Sequence, residues 1–145
     1  MSEYGSTLGG GNGYRGYIGS RLYHCGEYPQ YVQNMIIRNY CQKHGLNYLL
    51  SATEYAMPGC YMILDEVVNN IESVQGIAMF SIFMLPKSKI KRETIYQKIL
   101  KKERSLHAAL EDLAIQTTSD IPKIEDVLVL NHITAKPDTL DWLIA

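Results

Sequence analysis

Ser20 with Arg21, Ser51 followed by Glu54 and Tyr55, Ser81, and Glu111 are the residues of this 145-residue chain whose types suit a polar binding site. Each sits just after, or near the end of, a segment that reads as a β-strand. A guanidinium such as Arg21 can fork onto a carboxylate or phosphate. Glu54 and Glu111 can accept hydroxyl protons or move one, and Ser20, Ser51, Tyr55 and Ser81 can orient a ligand. Gln33, Asn34 and Arg38 add a polar stripe on a helix, and Arg92 a further cation. Arg21, Glu54 and Glu111 are thus the catalytic candidates, and Ser20, Gln33, Asn34, Arg38, Ser51, Tyr55, Ser81 and Arg92 the ligand-binding ones, for a polyhydroxylated or anionic ligand.

Other chemistries fit less well. His24, His44, His107 and His132 show no metal-ligand spacing, so no metal is expected. Cys25, Cys41 and Cys60 lack C-x-x-C spacing and suit reduced thiols in a cytoplasm. The glycine run from Gly9 to Gly13 has no strand before it and leads into one, which is the wrong context for a phosphate loop. No other signature calls for a cofactor. A formal charge of −1 names no polyanionic partner. The basic stretch Lys87 to Arg104 is interrupted by Glu93 and Glu103, as on a solvated helix face. The longest uncharged stretch, Ser73 to Pro86, has fourteen residues, too few for a bilayer span, which takes about twenty.

The elements that must position these residues follow from periodicity. Residues 1–13 carry five of the eleven glycines and almost no aliphatics, and are expected to form a mobile arm before one domain over 14–145. Tyr14 to Ile18 is a first strand. Pro29 opens a helix whose apolar face is expected at Val32, Met35, Ile36 and Tyr40, with Gln30, Asn34 and Arg38 opposite. Asn47 to Ser51 is a second strand and Ala52 to Gly59 a loop. Cys60, Leu64, Val67, Val68 and Ile71 mark a second helix. The near-continuous apolar run Ile77 to Leu85 predicts a strand covered on both faces, at the centre of a parallel sheet. A third helix lies within Lys87 to Arg104, and a fourth strand within Leu106 to Leu113. A turn and one more strand are expected over Ile121 to Leu130, and a terminal helical turn over Thr139 to Ala145. The order β-α-β-α-β-α-β predicts an α/β, three-layer, doubly wound and mainly parallel sheet of four to five strands, flavodoxin-like in kind. In such sheets ligands bind beyond the carboxyl ends of the strands, which is where the candidate residues fall. The apolar tail Leu140-Asp141-Trp142-Leu143-Ile144 needs cover, and predicts a homo-oligomer, most simply a dimer.

Gly16-Tyr17-Ile18-Gly19-Ser20-Arg21, Pro29-Gln30-Tyr31-Val32-Gln33-Asn34, Arg38-Asn39-Tyr40-Cys41 and Leu50-Ser51-Ala52-Thr53-Glu54-Tyr55-Ala56-Met57 together resemble the sporadic carbohydrate cluster proteins. Ser81, Leu85-Pro86, Arg92 and Leu106-His107-Ala108-Ala109-Leu110-Glu111 extend the resemblance over roughly Tyr14 to Leu130. Those are small bacterial proteins encoded in surface-polysaccharide gene clusters. The resemblance implies a cytoplasmic enzyme or accessory protein that handles a sugar or nucleotide-sugar intermediate, without a reaction that carries over residue by residue. A non-catalytic protein docking on another pathway enzyme is the alternative.

A more distant resemblance is to the catalytic domain of serine recombinases, in the order of elements and a glutamine near the start of the first helix. That family's Tyr-x-Arg-Val-Ser pattern is Tyr17-Ile18-Gly19-Ser20-Arg21 here, and its Asp-Arg-x-x-Arg motif is replaced by Phe83-Met84-Leu85-Pro86. The resemblance implies a resolvase-like version of the doubly wound scaffold, and only a degenerate nucleic-acid binder as a further reading.

Overall fold

The structure, a computed structural model, describes residues 12–19, 28–57 and 59–134. Its strands are β1 (Tyr14–Gly19), β2 (Tyr48–Glu54), β3 (Gly76–Met79), β4 (Ser105–Ala108) and β5 (Leu113–Ile115). Its helices are α1 (Gln30–Lys43), α2 (Met62–Asn69), α3 (Lys89–Lys101) and α4 (Ile121–Thr134). The strands form one sheet in the order β2-β1-β3-β4-β5, with β4 and β5 antiparallel and every other pair parallel. Helix α1 covers one face through Asn34 and Tyr40. Helices α2 and α3 pack together on the other, with α4 fastened to α3. This is the three-layer α/β architecture expected of right-handed crossovers.

β3 lies at the centre of the sheet and all four of its residues are buried. The strand is shorter than its apolar run. The Ser81 hydroxyl accepts the Phe83 N–H and turns the chain into a single 3-10 turn at Ile82–Met84. Ile82, Met84, Leu85 and Pro86 stay buried, so hydropathy alone does not show where the strand stops. β2 runs on to Glu54, because Thr53 and Glu54 still pair with Ile18 and Gly19. The loop expected from Ala52 therefore begins at Tyr55.

Three expectations are corrected. The buried face of α1 is Gln33, Ile37, Tyr40 and Cys41, while Met35 is exposed. Ile121 onward is helix, not turn and strand: the Asp120 carboxylate accepts the Gln116 and Thr117 N–H groups just before it, and Pro122 is tolerated in a first turn. The last strand is instead Leu113–Ile115, reversed onto β4 by a turn in which Asp112 takes φ of 57°. Asn12 and Gly13, expected in the arm, are tied to the sheet, since Asn47 donates to the Asn12 carbonyl and Gln75 to that of Gly13. Residues 1–11 and the tail Leu140 to Ile144, on which the dimer rests, lie outside the described residues, as does the terminal turn.

Several glycines are required by close approach: a Cβ on Gly76 would stand 2.3 Å from the Ser105 carbonyl oxygen. A Cβ on Gly16 would stand 2.1 Å from Ser51 Oγ, so the hydroxyl of Ser51 occupies the space a side chain would need.

Candidate functional site

β1 and β3 are neighbours whose following helices go to opposite faces of the sheet. Between their carboxyl ends the chain diverges, which makes this the topological switch point, where open α/β sheets hold their ligand crevice. On the β1 side stands Gln33, 2% exposed. Its Oε1 accepts the Gly19 N–H at 3.0 Å, and its Nε2 donates to the Gly19 carbonyl at 2.8 Å and the Tyr28 carbonyl at 2.8 Å. One carboxamide thus ties Gly19 to Tyr28, the residues that flank 20–27. Ser20 and Arg21 lie between them, outside the described residues. Across the crevice the Tyr28 ring meets Phe80 edge-on, with centroids 5.1 Å apart.

On the β3 side, Ser81 Oγ donates to Glu111 Oε2 at 2.7 Å, and the Ile82 N–H donates to Glu111 Oε1 at 2.8 Å. Glu111 is half-buried in the turn after β4 and so joins the ends of two strands. Tyr28, Tyr31 and Tyr55 are exposed around the same edge, Tyr55 by 53%.

Glu54 and Glu111 both stand at the carboxyl edge. They are separated by three strand spacings, roughly 14 Å, and cannot share one proton or one small substrate atom. Glu54 is 1% exposed and committed internally. Its Oε1 accepts from the Tyr17 hydroxyl (2.7 Å) and the Leu64 N–H (3.0 Å), and its Oε2 from the Tyr55 (3.2 Å) and Ile63 (3.1 Å) N–H groups. Burial raises its pKa, but the Tyr17 hydroxyl and these three amides outweigh burial and hold the carboxyl below its ordinary range. Tyr61, the residue before α2, offers no side-chain cap, and Glu54 caps the helix from a neighbouring strand. The geometry makes it a positioning group for α2 and the loop before it.

Other candidates are also engaged within the fold. Ser51 Oγ lies 2.6 Å from Asn34 Oδ1 and 2.8 Å from the Tyr48 hydroxyl, which pins α1 to β2. Arg92 forks onto Glu125 at 2.9 and 2.7 Å and donates to the Pro86 and Lys87 carbonyls, with Tyr96 on the same carboxylate. It fastens α3 to α4. Arg38 is exposed on α1. Among the described residues no group of three or more His, Cys, Asp and Glu converges as a metal set.

Sequence reasoning passed over a polar line beneath α1. His107 Nδ1 is 2.8 Å from the Tyr40 hydroxyl and Nε2 is 2.9 Å from the Ser105 hydroxyl. Burial, with the nearby His44, lowers the His107 pKa to about 4, so the ring is neutral at pH 7. The signal was the alternation Ser105-Leu106-His107, which puts two polar side chains on one face of a strand.

The sheet order and helix placement define a resolvase-like α/β fold. Among solved structures the chain is similar to the N-terminal catalytic domain of TP901-1 integrase, a serine-recombinase catalytic domain. The TM-score is 0.55 at 12% identity, over 82% of this chain and 95% of that one, a likeness of fold. No family model and no curated protein sequence matches the chain. At the segment where the resemblance would put arginines, Phe83 is half-buried and Met84 and Leu85 are buried, so this stretch presents the crevice with no cation.

Proposed function

We propose that the chain binds a sugar or nucleotide-sugar intermediate in the switch-point crevice, as an enzyme or accessory protein of bacterial surface-polysaccharide biosynthesis. The observation that carries this reading is the make-up of the described walls. They offer the half-buried Glu111 carboxylate, held from behind by the buried Ser81 hydroxyl, and the exposed rings of Tyr28, Tyr31 and Tyr55. A few convergent polar groups beside aromatic surface suit a ligand rich in hydroxyls with a ring to stack. Glu111 and Tyr55 contact the ligand in this reading, Gln33 holds Gly19 against Tyr28, and Ser20 and Arg21, in the sequence between them, supply a hydroxyl and an anion fork. The resemblance to the sporadic carbohydrate cluster proteins supports the pathway.

A thermal-shift series with nucleotide sugars, free sugars and nucleotides tests it. Binding should raise Tm with at least one nucleotide sugar, by the linkage of ligand affinity to stability. Glu111→Gln and Tyr55→Ala should reduce that rise. A series in which none of these compounds shifts Tm contradicts the reading and favours a protein that docks on another enzyme of the pathway.

A further inference from the structure

The cations of α3 divide into two groups. Toward its C-terminal end, where the helix dipole favours positive charge, Lys98 donates to Asn69 and Lys102 pairs with Glu72. Just beyond, Arg104 takes the carbonyls of Val74, Lys102 and Glu72. At the other end Lys89 and Lys91 lie in the first turn and Lys87 just before its Ser88 cap, where the dipole opposes them and the first turn holds no acidic residue. All three are exposed. Among the described residues Lys87, Lys89 and Lys91 have no side-chain hydrogen bond or ion pair; Glu93 stands one turn after Lys89, and the Glu125 carboxylate is already forked to Arg92.

Two apolar features sit within this basic tip. Ile90, between Lys89 and Lys91, is 76% exposed. Beside it Phe83, Leu85, Pro86, Leu128 and Val129 line a groove of about 110 Å³, with Lys87 and Arg92 at its rim and Val129 half in solvent. Cations placed against a dipole lower their energy on meeting an anionic surface, and an exposed isoleucine lowers its own by leaving water. A polyanion such as nucleic acid would satisfy the lysines alone. A bilayer with anionic headgroups satisfies both.

We propose that the tip of α3, with Lys87, Lys89, Ile90, Lys91 and the adjoining groove, docks on an anionic lipid bilayer. The protein lies on the surface and does not cross it: no helix among the described residues is long and apolar enough to span a membrane. α3 starts from the carboxyl end of β3, so docking brings the crevice edge to the membrane. The inference stands on these residues and not on the ligand reading.

Co-sedimentation of the full chain with phosphatidylglycerol–phosphatidylcholine vesicles tests it, against phosphatidylcholine vesicles and a short DNA duplex. The chain should pellet with the anionic vesicles, less so at high salt, and not with the neutral ones. Changing Lys87, Lys89 and Lys91 to Gln should weaken partitioning by about fivefold each, near a hundredfold together. Ile90→Ser should weaken it further while the melting temperature stays that of the parent. No pelleting with anionic vesicles overturns the proposal, as does an undiminished pellet for the triple variant. DNA binding that equals vesicle binding and ignores Ile90→Ser assigns the patch to a polyanion instead. Ligand affinity in the crevice, measured without lipid, should be the same in all variants.

Discussion

His107 should make the domain lose about 2 kcal/mol of stability between pH 7 and pH 5, before carboxylates contribute. Its ring is 4% exposed, and both nitrogens are occupied by the hydroxyls of Tyr40 and Ser105. Burial sets the folded pKa near 4 against 6.5 in the unfolded chain. Between those values the unfolded state binds a proton that the folded state does not. Stability is therefore full above pH 6.5 and is lost as pH falls toward 4. At pH 5 the unfolded imidazole is almost wholly protonated and the folded one about a tenth; the ratio of 1 + 10^(pKa − pH) between the two states rises from about 1.3 at pH 7 to about 30 at pH 5, and RT ln of that change gives the figure above. For a domain of this size that is roughly 6 °C in Tm. Urea unfolding at half-unit steps from pH 7.5 to 5 measures it. His107→Gln, which keeps a donor and an acceptor but cannot titrate, should start lower and lose most of the slope. A parent that is flat over this range, or a variant with the parent's slope, refutes the reasoning.

Gln33→Leu should cost about 3 kcal/mol, because the carbonyls of Gly19 and Tyr28 lose a donor close to the core, and its urea midpoint should fall to match. Gly16→Ala should destabilise by about 2 kcal/mol through the contact with Ser51 Oγ, and Ser51→Gly in the same chain should restore part of that Tm. Glu54→Gln should cost about 2 kcal/mol, since an uncharged amide replaces the carboxylate that accepts from Tyr17, Ile63 and Leu64; the expected readout is early loss of hydrogen-exchange protection in α2.

Much of the fold was legible where one face of an element is plainly apolar. Leu64 and Val68 announce α2 at helical spacing, and the run around Ile77 announces a central strand. The reading failed where hydrogen bonds override polarity. Gln33 belongs to the buried stripe of α1 because backbone partners satisfy its amide, and a binary pattern turns it outward. Val127-Leu128-Val129-Leu130 has the composition of a strand, yet its place is fixed by Ile124 in the core and the Glu125 fork to Arg92. β5 is three residues long and carries no alternation to detect. For the site, the rule that ligands meet strand carboxyl ends put Ser81 and Glu111 together correctly. It could not show that Glu54 is used by amides nine and ten residues along, or that Arg92 is taken by α4, because those partners are distant in sequence or depend on helix packing.

Ligand binding between the ends of β1 and β3 is tested by titrating the isotope-labelled full chain with a nucleotide sugar and following backbone amide shifts. Saturable shifts are expected at residues 28–34, 53–57, 80–83 and 109–112, with the opposite edge at 74–76 and 103–105 unmoved, and their loss in Glu111→Gln. Saturable shifts centred on the opposite edge, or none with any nucleotide sugar at millimolar concentration, would contradict it.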